Sequence, residues 1–455
     1  MDFALPKEFE LRMRSQLGAE YEDYAESLSA PPPVSIRFNH DKINNIPEED
    51  KVQWESQGCY LAQRPQFTLD PLLHSGAYYV QEASSMFVGY AFCQLYDNQP
   101  DIRVLDLCAA PGGKSTHLAS LLGKNGLLVS NEVINSRVSI LSENLSKWGI
   151  PNVVITNNDP SDFERFSGFF DVVAVDAPCS GEGLFRREPA AVAEWSVDNT
   201  RICAQRQQRI IADIWPAIKP GGYLIYSTCT FCPAEDEENM AWIKNTFAAD
   251  NVRFNLPDEW KISEIEKEGC VGYRFIQHKT RGEGFFCCVF QKNGGNVFNI
   301  SKQKVKQQLQ QASKQIVTEL KTYISDDYDV DFFLKNDAAI AIPKEIVTDC
   351  KMLIDSLKVV KTGVPVAKIF GNKIVPEHDL AMSWILNKNK FEKVDLSLQE
   401  ALRYLHRDNI FGECSKNGYI LLTYNDLPLG FVKNIGSRWN NLYPQNWKIR
   451  MKIEL

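Results

Sequence analysis

Between residues 102 and 291 the apolar positions follow a repeating rhythm. Short, nearly continuous apolar runs at 104–107, 127–131, 153–157, 170–175 and 223–227 alternate with helically spaced stretches such as 138–148 and 201–218. A run apolar on both sides of the chain suits a parallel strand buried on both faces. The β–α alternation predicts a doubly wound α/β domain. Runs at 273–277 and 284–291 predict an antiparallel hairpin at the sheet edge. Before this region, Leu5, Phe9, Leu11, Met13, Leu17, Tyr21 and Tyr24 make an apolar helical stripe that ends at Pro31-Pro32-Pro33. A strand is expected at 34–39 and a helix at 86–92. After it, Gly294-Gly295-Asn296 breaks the rhythm, and the Lys/Gln-rich stretch 301–314 reads as a solvated helix or a linker. Residues 356–455, with Gly and Pro turns and aromatics, read as a small, mostly β domain. The expected division is 1–97, 98–295, 296–355 (a linker or intermediate region) and 356–455.

Composition narrows the class. The chain has 455 residues, 44% hydrophobic and 24% charged, as a soluble multi-domain protein would. No apolar run reaches membrane-spanning length and the N-terminus lacks a signal-peptide pattern, so a cytoplasmic protein with no membrane partner is expected. The twelve cysteines then sit in a reducing compartment. The CxxC of Cys229 and Cys232 has no second pair or histidine at zinc spacing, so no metal is expected. Net charge is −8, but residues 296–455 carry 23 Lys and Arg against 18 Asp and Glu, and the first 295 carry 27 against 40. A basic C-terminal third is compatible with a nucleic-acid-contacting appendage or with a solvated surface.

The candidate chemistry begins where the first parallel run enters a loop of small residues, Cys108-Ala109-Ala110-Pro111-Gly112-Gly113-Lys114, followed by a helix. Strand, tight turn and helix bring backbone close to a nucleotide-like cofactor. A phosphate-binding P-loop needs glycine five residues before Gly113, where Cys108 stands, so an NTPase is disfavoured. Glu132, at the end of the next strand, has the spacing to grip a ribose diol, or is a solvated strand-end carboxylate. Asp159, after the third strand, could face an adenine amino group or make an Asx turn before Pro160. Cys179 follows the fourth strand in Asp176-Ala177-Pro178-Cys179-Ser180-Gly181, and Cys229 follows the fifth in Ser227-Thr228-Cys229-Thr230. Ligands of open α/β sheets bind beyond the carboxyl ends of strands, so both thiols would face one crevice. A thiolate can add to C6 of cytosine and make C5 nucleophilic towards an electrophilic methyl group. The six histidines receive no catalytic role.

These residues carry a resemblance. Leu105 to Lys114, Asp176 to Gly183 and Tyr226 to Thr230, with Asp236-Glu237-Glu238-Asn239 continuing the last, resemble three motifs of the Nop/Sun-type RNA cytosine-C5 methyltransferases. Tyr79 to Ser85, Arg186-Arg187-Glu188-Pro189 and Gly282 to Phe286 resemble further family elements. The resemblance implies a Rossmann-like catalytic core, an N-terminal α+β RNA-binding extension and S-adenosyl-L-methionine as methyl donor. It implies that Cys108 to Lys114 line the donor's pocket, with Glu132 on the ribose, Asp159 near the adenine and Asp176 between donor and base. Cys229 matches the family nucleophile and Cys179 the cysteine that assists breakdown of the covalent adduct. Gly418 to Tyr424, Pro428 to Lys433, Asn440 to Pro444 and Trp447 resemble the PUA-like RNA-binding module of bacterial RsmF-type enzymes, which methylate small-subunit (16S) ribosomal RNA. The implied partner is therefore RNA, ribosomal RNA or the small subunit. The alternatives are the same chemistry on transfer RNA, or a non-catalytic ribosome-assembly factor, which would have no need of the two thiols. Cys232 departs from the family pattern, as a bystander or as a residue that forms an inactivating disulfide on oxidation.

Overall fold

The computed structural model describes residues 5–43, 46–47, 49–96, 100–298, 309–371, 373–410 and 417–453. The alternating region forms one mixed sheet. Its strands are β1 (Arg103–Asp106), β2 (Leu127–Asn131), β3 (Val153–Thr156), β4 (Phe170–Asp176), β5 (Ile218–Thr228), β6 (Ser263–Lys267), β7 (Cys270–Phe275), β8 (Phe285–Gln291) and β9 (Val359–Thr362). They lie in the order β6-β7-β8-β5-β4-β1-β2-β3-β9, and a short strand, Asp250–Val252, also pairs with β8. β1 to β5 are joined in parallel. The expected edge hairpin is β7 and β8, antiparallel to each other, with β8 antiparallel to β5.

The continuous apolar runs are explained by two-sided burial. Leu105, Val129, Val154 and Val173 face one core with Ile210, Ile211 and Ile214 of helix Val197–Ile214. Their neighbours Val104, Leu128, Ile155 and Val172 face the other core, with Leu118 of helix Gly113–Leu121 and Leu141 and Leu145 of helix Asn135–Trp148. Successive strand residues alternate sides, so a strand covered on both faces is apolar throughout. The chain leaves β1 towards β2 on one side, while β4 lies on the other. That reversal opens a crevice at the carboxyl ends of β1 and β4.

The N-terminal helices Lys7–Leu17 and Tyr21–Ser27 cover the loops beyond β4 and β5. Phe9, Met13, Tyr21 and Tyr24 pack with Phe185, Trp195 and Phe231. Leu11, expected in the apolar stripe, is instead exposed at 59%. A four-stranded antiparallel sheet follows in the order Lys51–Val52, Glu55–Leu61, Val34–Phe38, Tyr78–Val80.

The expected boundary at 356 falls inside a folded unit. Val330–Lys335 and Ala338–Pro343 form a hairpin that continues through Val364–Phe370 and Lys373–Pro376 into a five-stranded sheet. Helix Val347–Ser356 packs Cys350 and Leu353 into the core on one face of the central sheet, and β9 extends that sheet along β3. Of the two readings of 296–355, the described residues 309–355 form a folded intermediate region: Phe332 and Phe333 are buried on opposite faces of a strand that both cores use. Of the stretch 301–314, residues 301–308 lie outside the described residues, and Lys314 opens a helix, Lys314–Lys321, rather than closing one. The last unit is a four-stranded sheet of Glu392–Asp395, Gly418–Tyr424, Leu427–Asn434 and Trp439–Asn441, with helix Leu398–His406 capped reciprocally by Ser397 and Glu400. Among the described residues no helix is long and apolar enough to cross a membrane.

Candidate active site

The site is assembled from the ends of three neighbouring strands. Beyond β1 the chain turns into the helix Gly113–Leu121 through Gly112, whose φ of +118° suits glycine alone. Asp106, at the end of β1, is fully buried and its Oδ2 accepts from Ser115 Oγ at 2.6 Å. Its Oδ1 has no hydrogen-bond partner among the described residues. Burial pushes this carboxyl up to about 7. Lys114 Nζ lies 2.7 Å from Asp176 Oδ2. Burial works against the Lys114 charge, but Asp176 outweighs it and holds the ammonium above its ordinary value. Asp176 Oδ1 accepts from Ser227 Oγ at 3.0 Å, which ties the end of β4 to β5.

Glu132 follows β2 with only 3% of its side chain exposed, so it is not a solvated strand end. Its Oε1 accepts from Ile134 N at 2.8 Å, and Arg137 Nη1 stands 3.4 Å from Oε2. Arg137 also donates to Ala110 O at 2.6 Å and so braces the loop after β1. Asp159 is used locally. It accepts from Ser161 N and Oγ at 3.2 and 2.9 Å, caps the turn Pro160–Phe166 reciprocally with Asp162, and lies 3.4 Å from Arg209.

A cavity of about 610 Å³ occupies the crevice. Of the residues singled out from sequence, it brings together Cys108, Ala110, Glu132, Asp176, Cys179 and Cys229. Ala109, Pro111, Gly112, Gly113, Lys114 and Asp159 do not line it, although Pro160 beside Asp159 does. The loop residues act from behind: Ala109 N donates to Asn131 O at 2.8 Å, and Pro111 O accepts from Asn144 Nδ2 at 2.8 Å. Glu132 and Asp176 supply carboxylate acceptors to the cavity, beside the basic side chains of Arg137, Arg206 and Arg209. Val133, Ile134, Pro160 and Ile210 supply an apolar side. This combination fits a ligand carrying positive charge, a ribose diol and a flat purine, as S-adenosyl-L-methionine does.

The two thiols meet at the other end of the cavity. Cys179 Sγ and Cys229 Sγ are 3.2 Å apart, and Cys229 N donates to Cys179 Sγ at 3.3 Å. The hydrogen bond with Cys229, followed by burial, holds the Cys179 thiol well above its ordinary value. Two buried carboxylates that sequence reasoning missed stand behind these loops. Glu182 accepts from Trp195 Nε1 at 2.7 Å, Phe231 N at 3.2 Å and Arg12 Nη2 at 2.5 Å. Glu235 accepts from Ser180 N at 3.0 Å and Gln207 Nε2 at 2.8 Å. Glu182 lies within the motif Asp176 to Gly183, and Glu235 opens the acidic run Glu235 to Glu238. Neither has a spacing that separates it from its neighbours. Cys232 is buried, and burial pushes its thiol up to about 12.

Comparisons with known proteins agree over most of the chain. Residues 93–291 match the family model for 16S rRNA methyltransferase RsmB/F. Residues 5–83 match the N-terminal domain of 16S rRNA methyltransferase RsmF, and residues 391–449 the methyltransferase RsmF PUA domain. The chain is 30% identical over 477 residues to the ribosomal RNA small subunit methyltransferase F of Enterobacter sp. (strain 638), covering 97% of this chain and 95% of the relative. It is 28% identical to the protein of that name from Shewanella woodyi, covering 93% and 92%. Among solved structures, a methyltransferase homologue from Pyrococcus horikoshii is similar at a TM-score of 0.52 and 25% identity, covering 63% of this chain and 100% of that one.

Proposed function

The chain belongs to the ribosomal RNA small subunit methyltransferase F family, and from that premise we propose that it methylates C5 of a cytosine in 16S ribosomal RNA through a covalent adduct on Cys229. It is an RNA methyltransferase. The observation that carries the finer reading is the pair of thiols, 3.2 Å apart, in one cavity with Glu132 and Asp176.

The reading follows from what each residue can do. Glu132 would accept from the ribose hydroxyls of S-adenosyl-L-methionine, with Cys108 and Ala110 of the loop after β1 lining the same pocket. When bound, the cofactor supplies an electrophilic methyl group. Asp176, oriented by Lys114 and Ser227, accepts from the cytosine N4 amino group, which favours electron flow from N4 into the ring towards C5. The Cys229 thiolate adds to C6, and C5 then takes the methyl group. A base takes the C5 proton, its C–H electron pair forms the C5–C6 double bond, and the C6–S bond breaks to free the Cys229 thiolate, with Cys179 assisting that release. The base must leave its stack to reach so recessed a thiol.

The test uses the full-length protein, small-subunit RNA and a labelled methyl donor. Cys229→Ala should abolish methyl transfer while donor binding survives, and bisulfite sequencing should show one cytosine losing protection in a strain without the enzyme. Transfer undiminished in Cys229→Ala would overturn the covalent route.

A further inference from the structure

Glu235 does not line the cavity, and the chemistry just described does not use it. Its side chain is nonetheless fully buried behind the two cysteines. Glu235 Oε2 accepts from Ser180 N and Gln207 Nε2, and Oε1 accepts from Ser180 Oγ at 2.5 Å. Ser180 is the residue after Cys179. Gln207 also donates to Pro178 O at 3.1 Å, so the residues on both sides of Cys179 are held. Ser180 Oγ lies 2.8 Å from Thr230 Oγ1, and Thr230 is the residue after Cys229. Because the Ser180 hydroxyl donates to Glu235, the Thr230 hydroxyl donates to Ser180. Glu235 is anchored in turn by Tyr226 OH, which donates to its main-chain O at 2.6 Å.

The support is unequal for the two thiols. Cys229 extends the eleven-residue β5, and its carbonyl accepts from Gly183 N at 2.9 Å. Cys179 sits on the loop beyond β4, and its thiol has no hydrogen-bond partner but Cys229 among the described residues. Loosening Glu235 therefore frees Cys179 more than Cys229. A buried carboxylate is costly to desolvate, and burial raises Glu235 to about 7. Keeping one here serves placement better than stability.

We propose that Glu235 is a positioning residue that sets Cys179 against Cys229 through Ser180 and Thr230, and that it is required for release of the covalent RNA adduct rather than for its formation. The proposal rests on the reading of Cys229 as nucleophile.

The experiment follows product and adduct together, on a denaturing gel, in the full-length enzyme with small-subunit RNA and labelled donor. In Glu235→Ala, turnover should fall roughly tenfold to a hundredfold, the range expected of a misplaced catalytic group, while the RNA adduct accumulates. In Glu235→Gln the amide can accept from Ser180 N and donate to Ser180 Oγ, so turnover should stay within about threefold of wild type. Ser180→Ala removes only the hydroxyl link and should also accumulate adduct, which decides the matter if Glu235→Ala does not fold. Full turnover in Glu235→Ala, or turnover lost in both variants without adduct, overturns the positioning role. Wild type and Cys229→Ala run alongside. Adduct formed by Cys229→Ala would overturn the nucleophile reading instead.

Discussion

Among the described residues the Cys179 thiol hydrogen-bonds to Cys229 alone, and this makes it the sharper probe of the site. Cys179→Ala should leave C6 addition intact and block release, giving a slow-migrating RNA adduct on a denaturing gel. If no adduct forms, Cys179 has no part in release. Asp106 offers a different test, because its carboxyl is raised to about 7 by burial. In the unfolded chain it ionises near 4, so between those values the folded state binds more protons than the unfolded one. Stability from this group is then full at low pH and is lost as pH rises towards 7. Asp106→Asn cannot ionise, so denaturant unfolding should show its stability gaining on wild type as pH rises over that interval. Both cysteines were legible in sequence because each stands at the end of an apolar run. Glu235 was not, because only the fold shows that this member of an acidic run turns inward to Ser180.

At the scale of elements, the turn before β8 meets the loops beyond β4 and β5 at a spacing that only glycine permits. A Cβ on Gly183 would lie 2.5 Å from Gly284 O, and one on Gly284 would lie 2.3 Å from the Phe231 ring. Gly284 N donates to Gly183 O at 3.1 Å, so the contact is main chain to main chain. Gly183→Ala should force the two segments apart at a cost of about 1–3 kcal/mol, the usual range for overpacking. Denaturant unfolding measures that loss. Methyl transfer should fall further than donor binding, since Gly183 N also holds the Cys229 carbonyl. The parallel strands were readable because two-sided burial leaves a continuous apolar run. The hairpin of Val330–Lys335 and Ala338–Pro343 was missed because its signal is a short Asn336–Asp337 turn, with Asn336 at φ +57°, inside a region otherwise rich in charge. Leu11 fitted a helical stripe by spacing, but the helix shows the core a narrower face, that of Phe9 and Met13.

On the scale of the molecule, both flanking units are docked onto the catalytic sheet. Arg12 of the first helix reaches Glu182 behind the cysteine loops. From the other side, Gly149 O, at the end of helix Asn135–Trp148, accepts from Trp384 N at 2.9 Å and Ser383 Oγ at 3.0 Å, and Lys361 and Ser146 both bond Asp379. Helix His378–Met382, which carries Asp379, packs Leu380 and Ala381 with Leu421 and Phe431 of the C-terminal sheet, so that sheet is held in place relative to the cavity and its charges can act on a substrate that the cavity also holds. Residues 430–452 contain no acid, and Arg438, Arg450 and Lys452 are exposed with Lys448 half-buried. Counterion release makes each lost phosphate contact visible as a salt slope smaller by roughly one. A variant with Arg438, Lys448, Arg450 and Lys452 all changed to Gln should therefore bind small-subunit RNA more weakly, with a shallower dependence of log affinity on log salt. Its turnover at saturating RNA should match wild type, because none of the four residues lines the cavity. An unchanged slope would mean that this face of the C-terminal sheet carries no RNA, and that the phosphate contacts lie nearer the cavity, where Arg206 is exposed along its lining.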